Sequence, residues 1–156
     1  MNIRIIAVGK IKEQYLKDAL KEYEKRLSPF CSLNIIEVMP EQITDEALSE
    51  KYKELEAQRI LPNIKQDSFV ITLEILGKSM TSEDFAQQIK QISNEGYSDL
   101  TFIIGGANGL HSSVSQKADF KLSFSKMTFT HQMVRLILIE QIYRAFKINN
   151  NEKYHR

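Results

Sequence analysis

The chain has 156 residues, of which 42% are hydrophobic and 26% charged, enough for one domain with a buried core and unlike a disordered or fibrous protein. Its single cysteine, Cys31, excludes an internal disulfide and a cysteine-based zinc cluster and fits a reducing, cytoplasmic compartment. The net charge of +1 hides an asymmetry: residues 126–156 hold six Lys or Arg against two Glu, a net of +4, and residues 1–125 sum to 15 minus 18, or −3. A basic end suits a docking polyanion, although a solvated helix face accounts for any one of these charges.

The opening "IRIIAV" reads as a buried strand closed by Gly9, too short in its apolar run for a leader peptide. In "KEQYLKDALKEYEKRL" apolar residues recur at Tyr15, Leu16, Ala19, Leu20, Tyr23 and Leu27, the period of a helix. "SLNIIEVM" returns as a strand between Pro29 and Pro40, and "TDEALSEKYKELEAQRIL" is a charged helix capped by Thr44 or Asp45. "SFVITLEI" predicts a third strand, with Gly77 turning the chain. "TSEDFAQQIKQIS" opens on a capping-box-like Thr81 and Asp84, and "DLTFIIGG" is an apolar strand ending in glycines.

The remainder gives a helical turn in "LHSSVSQKA", a short strand in "FKLSFS" and a long final helix in "FTHQMVRLILIEQIYRAFKI". Met133 to Ile142 is the most apolar stretch, but Arg135 and Glu140 interrupt it well short of the ~20 residues that cross a bilayer, so no membrane segment is expected. Alternating strands and helices predict an α/β fold: a mostly parallel sheet with helices on both faces. The last helix is apolar almost all round, at Met133, Val134, Leu136, Ile137, Leu138 and Ile139, and needs a second burial partner besides the sheet. A second copy making a two-fold homodimer is the economical one.

Parallel sheets bind ligands beyond the carboxyl ends of their strands, which selects three loops: "EILGKS", "GANGLHSS" and "KMTFTHQ". The glycines of "GGANG" let a backbone approach a ligand, and equally make a tight turn with Asn108 and Gly109 left-handed. The segment is neither G-x-G-x-x-G nor a Walker loop. His111 reads as a helix cap, Glu74 as a lone exposed carboxylate, and His131 sits where packing or capping competes with catalysis. No histidine pair has metal-ligand spacing, so no metal is expected.

"IGGANGLH", then "LSFSKMTFTHQMVRLILIEQIYRAFKI" and the terminal "YHR" resemble the ribosomal RNA large-subunit methyltransferase H family. The similarity runs the whole chain, including "AVGKIKEQY" and "EYEKRLSPF". These SPOUT-class enzymes methylate N3 of a pseudouridine in 23S ribosomal RNA with S-adenosylmethionine. The resemblance implies one SPOUT domain over residues 1–156, with a C-terminal trefoil knot in about 70–156. Carried over by position, the cofactor contacts are Leu73, Gly105, Phe124, Ser125, Lys126, Met127, Thr128 and Phe129. The candidate catalytic residues are Arg144, Tyr154, His155, Arg156 and His131. One departure is visible: Thr130 stands where the family commonly has proline.

Because the donor is a sulfonium, the resemblance leaves the protein to align the methyl group and to help remove the N3 proton. An arginine beside the ring carbonyls would steady the developing anion, and a histidine or tyrosine could relay the proton. The base is left open among these groups. The expected partners are the assembled ribosome, through its large subunit, and a second copy of the chain. A non-catalytic ribosome-binding protein using the basic end is the competing reading, and a nucleotide-binding enzyme using "GGANG" for phosphate is a third.

Overall fold

The computed structural model describes residues 1–154. Its strands are β1 (Asn2–Val8), β2 (Ser32–Val38), β3 (Phe69–Ser79), β4 (Asp99–Ile104) and β5 (Phe120–Ser123). Its helices are α1 (Gln14–Leu27), α2 (Ser49–Ile60), α3 (Ser82–Asn94), α4 (Ser112–Ser115) and α5 (His131–Asn149). The five strands form one parallel sheet in the order β2-β1-β4-β3-β5.

Strand side chains alternate between faces, so each strand feeds two cores. Ile3, Ile5 and Ala7 of β1 pack with Leu16 and Leu20 of α1, Phe85 and Ile89 of α3, and Leu138, Ile139 and Ile142 of α5. Ile6 and Val8 face the other way, onto Ala57 and Ile60 of α2 and Val114 of α4. Helices therefore cover both faces, as the alternating pattern predicts.

The helix starts follow their capping chemistry. Thr81 accepts the amide of Asp84 at 3.1 Å, and Asp45 accepts that of Ala47 at 2.9 Å, capping a short 3-10 turn that leads into α2. His111 caps α4 through its imidazole, accepting from the Ser113 amide at 3.2 Å.

Two local expectations fail for instructive reasons. Gly77 does not turn the chain; it lies within β3, and a Cβ there would stand 2.7–2.8 Å from backbone atoms of Lys121 and Leu122 in β5. The glycine is required by the closeness of two backbones. Nor are Asn108 and Gly109 both left-handed: only Gly109 is, with φ +80°, while its amide donates to the Gly106 carbonyl at 3.0 Å. The two central residues of this four-residue turn, Ala107 and Asn108, close it without a positive φ, and the glycine follows them at its last position.

Gly77→Ala should accordingly cost about 2 kcal/mol or more by overpacking, because backbone cannot swing aside as a side chain can. Gly96→Ala is the control, with φ +96° but nothing within 4 Å of the added carbon. It should cost about 1 kcal/mol, from backbone strain alone. Urea denaturation of both variants measures the difference.

Candidate active site

Beyond the carboxyl ends of β3, β4 and β5 the three loops enclose a cleft of about 750 Å³. The first is a bulge. Leu122 of β5 pairs with both Leu73 and Lys78, so Glu74 to Gly77 leave the ladder, and Glu74, Ile75 and Leu76 line the opening. The second is the glycine turn Gly105 to Leu110, and the third runs from Ser123 into the first turn of α5. Leu73, Gly105, Phe124, Ser125, Met127, Thr128 and Phe129 all line this cleft. Lys126 is exposed and does not. The space beside Gly105 is taken by Gly109 backbone at 2.9 Å and by Leu110, so its missing side chain serves closure of the turn.

His131 lines the same cleft, and Thr130 before it caps α5 by accepting the Met133 amide at 3.3 Å. A proline there could set the backbone but could not offer that hydroxyl. Burial, followed by the charges of Arg135 and Lys12, lowers the pKa of His131 from the ordinary histidine value. Gly9 makes room for it: a Cβ on Gly9 would come within 2.8 Å of the imidazole Nε2. Four residues on, Arg135 is 1% exposed and donates to Glu37 at 2.7 Å and to the Gly9 carbonyl at 2.9 Å. The sequence reading treats Arg135 as a surface charge interrupting an apolar run; its periodicity with Leu138, Ile139 and Ile142 is the signal that it faces inward.

Arg144 and Tyr154 sit elsewhere. They converge on Glu140, which accepts from Arg144 Nη2 at 2.6 Å and from the Tyr154 hydroxyl at 3.3 Å. The guanidinium lies 4.8 Å from the centre of the Tyr154 ring, which meets Tyr143 edge-on. Burial, with the neighbouring Tyr23 hydroxyl and Glu140, pushes the Tyr154 phenol far above its usual range. Its hydroxyl is the hydrogen-bond donor to Glu140 here. Thirteen residues of helix separate Arg144 from His131, about 20 Å at 1.5 Å per residue, so one chain does not bring the two groups together. Glu140 is the residue at this end that sequence reasoning overlooks. His155 and Arg156 lie outside the described residues.

The basic end is also less free than its count implies. Of its six cations, Arg135, Arg144 and Lys147 are paired with Glu37, Glu140 and Glu152. Among the described residues, no group of three or more His, Cys, Asp or Glu could hold a metal, and no helix is long and apolar enough to cross a membrane.

Comparison with known proteins decides the family. The model described as "Predicted SPOUT methyltransferase" matches residues 1–155. A Methanococcus maripaludis protein named as a ribosomal RNA large subunit methyltransferase H is 59% identical over 160 residues, covering 100% of both chains. The chain belongs to the large-subunit methyltransferase H family of SPOUT methyltransferases. The fold agrees: the structure of a methylase family protein from Haemophilus influenzae Rd KW20 superposes with a TM-score of 0.57 over 99% of this chain and 70% of that one, at 16% identity.

In this SPOUT methyltransferase the depressed pKa of His131 is also a statement about stability. The unfolded chain takes up the proton first as pH falls, so the stabilisation from this group is complete above about pH 6.5. It is lost progressively as pH drops toward the lower folded value. NMR titration should place the His131 midpoint below the ordinary histidine value of about 6.5, and Arg135→Met, which removes the nearby cation, should move it upward.

Proposed function

We propose that the chain is an S-adenosylmethionine-dependent methyltransferase acting on N3 of a pseudouridine in 23S ribosomal RNA of the assembled ribosome, and that it works as a homodimer. The observation that carries this reading is the cleft: three loops at the carboxyl ends of neighbouring strands, in a chain of this family, lined by seven of the eight expected cofactor residues.

The cleft suits the cofactor in kind. Its volume falls within the range of small-molecule sites, and Leu73, Leu110, Leu122 and Phe124 give it apolar walls for a base, with the hydroxyls of Ser125 and Thr128 beside them. Bound there, S-adenosylmethionine supplies an electrophilic methyl group on a sulfonium centre. The chain's own part is to orient that group, exclude water and manage the N3 proton. His131 is the titratable base on the cleft wall, biased toward its neutral, proton-accepting form by burial. Arg144, with Tyr154 and the tail residues His155 and Arg156, would contact the ring carbonyls and the RNA from a second copy of the chain.

That arrangement explains the surface of α5. Leu136, Ile137 and Tyr143 are only half-buried in one chain, and Tyr143 meets the rings of Tyr23, Phe30 and Tyr154. A two-fold contact along this helix would cover them and carry Arg144 of one copy toward the cleft of the other. We read residues 1–156 as one domain. Its knot would run through about 70–156, supported by the close passage of Gly77 against β5 and by the return of α5 onto α1 and α3.

Tritiated methyl transfer to 70S ribosomes, separate subunits and naked RNA tests the reaction. Ribosome binding without transfer to any of them would overturn it. Deleting residues 154–156 should leave affinity for S-adenosylmethionine within about twofold while lowering methyl transfer at least about 100-fold, the scale of losing groups that steady the developing anion.

Ile137→Asp tests the dimer. It places a charge on the half-buried surface and should yield folded monomers by light scattering, whereas Ile139, 0% exposed within its own core, would report only unfolding.

A further inference from the structure

Among the described residues lining the cleft, Glu74 and His131 alone can carry a charge. Glu74 is not the lone exposed carboxylate its place in the sequence suggests. It is half-buried, and hydroxyls from two different elements hold it: Thr72 Oγ1 of β3 donates at 2.6 Å, and Ser115 Oγ of α4 donates to the two carboxylate oxygens at 2.8 and 3.1 Å. Thr72 is itself 0% exposed, so this donor has little other use. Both donors are neutral, and no cation of the described residues forms an ion pair with Glu74. The result is one fixed negative charge in a largely apolar cleft, its direction set and its countercharge not supplied by the protein.

We propose that Glu74 is a specificity-determining residue whose carboxylate supplies the countercharge for a sulfonium ligand, so that the cleft holds the cationic methyl donor more tightly than the neutral thioether left after transfer. The proposal rests on the reading of the cleft as the S-adenosylmethionine site. Donor and product share their adenosine and amino-acid parts and differ in one methyl group and one positive charge. Shape and hydrogen bonding therefore discriminate between them weakly, and a fixed charge is the economical means. An opposite charge about 6 Å away, in a half-open site of effective dielectric about 40, changes affinity about tenfold. Since the charge is lost during transfer, this attraction acts on the ground state. Removing it raises KM for the donor and leaves kcat unchanged or slightly higher.

A structural strut between the β3 bulge and α4 is the competing role, and the substitution Glu74→Gln separates the two. Glutamine keeps an acceptor for Thr72 and Ser115 and removes the charge. Calorimetry on the full-length protein would use three probes: S-adenosylmethionine, S-adenosylhomocysteine, and sinefungin, which carries an ammonium near the sulfonium position. We expect E74Q to bind S-adenosylmethionine and sinefungin about tenfold more weakly, to bind S-adenosylhomocysteine within twofold of wild type, and to keep its thermal midpoint. Glu74→Asp, which keeps the charge, should retain preference for the two cationic probes. Ser115→Ala, which loosens the strut but not the charge, should retain it as well. Equal weakening of all three probes in E74Q would assign Glu74 to the shared ribose or amino-acid part and overturn the proposal, as would no change in any. Failure of the wild-type protein to bind any of the three would instead overturn the reading of the cleft, and this inference with it.

Discussion

The buried guanidinium of Arg135 holds the ligand end of the molecule together. It joins three pieces of chain distant in sequence: α5, on which it sits; β2, through Glu37; and the end of β1, through the Gly9 carbonyl. Glu37 Oε2 also accepts the Ile11 amide at 2.9 Å, and the Lys12 amide donates to Gln132 of α5 at 2.9 Å, so the whole β1–α1 loop is fastened to the helix that carries His131. An arginine so deeply buried is costly unless it is paired, and here both terminal nitrogens have partners while, among the described residues, Nε has none. A methionine could fill the space but could not bridge a carboxylate and a carbonyl at once. What the ion pair supplies is registration of the first turn of α5 against β1, and therefore the position of the imidazole on the cleft wall.

Much of this architecture was legible because it rests on local chemistry. Apolar periodicity located the strands and the longer helices, and the oxygen-bearing residues Asp45 and Thr81 marked helix starts for the ordinary capping reason. The ligand-side loops could be named before any coordinates because a parallel sheet leaves only its carboxyl edge open. What escaped were the consequences of long-range approach. Gly77 read as a turn because nothing nearby in sequence indicates that β5, more than forty residues later, would press against it. Arg135 and Glu74 read as surface charges because their partners lie 98 and 41 residues away.

The glycine turn of the cleft shows the same dependence from its far side. Glu56 of α2 is 7% exposed, and its carboxylate stands 3.0–3.1 Å from where a Cβ on Gly106 would be. Burial raises its pKa, against the Glu41 amide that donates to it at 3.0 Å and the nearby Arg59. The turn is thus backed by a polar group together with the apolar Val8 of β1, whose Cγ1 stands 3.1 Å from the same point. A side chain at position 106 would have to displace that carboxylate, so the glycines at 105 and 106 are there for packing among protein groups, and the floor of the cleft owes its shape to them.

The length of α5 then separates two sets of chemistry. Its first turn presents His131 to the cleft; near its far end Arg144, with Tyr154 from the segment after the helix, is gathered on Glu140 at a half-exposed aromatic surface. A rigid helix cannot fold these ends together, and the hydrogen bonds of Arg144 and Tyr154 to Glu140 give them a defined arrangement before any substrate arrives. Such an arrangement is wasteful in an isolated chain. It makes physical sense when a two-fold axis crosses the helix, because the distance that separates the two ends within one copy then becomes the means of delivering one end to the other copy. On this argument the apolar surface of α5 and the position of Arg144 are one feature: burial of Leu136 and Ile137 would drive the association, and the same contact would assemble the site.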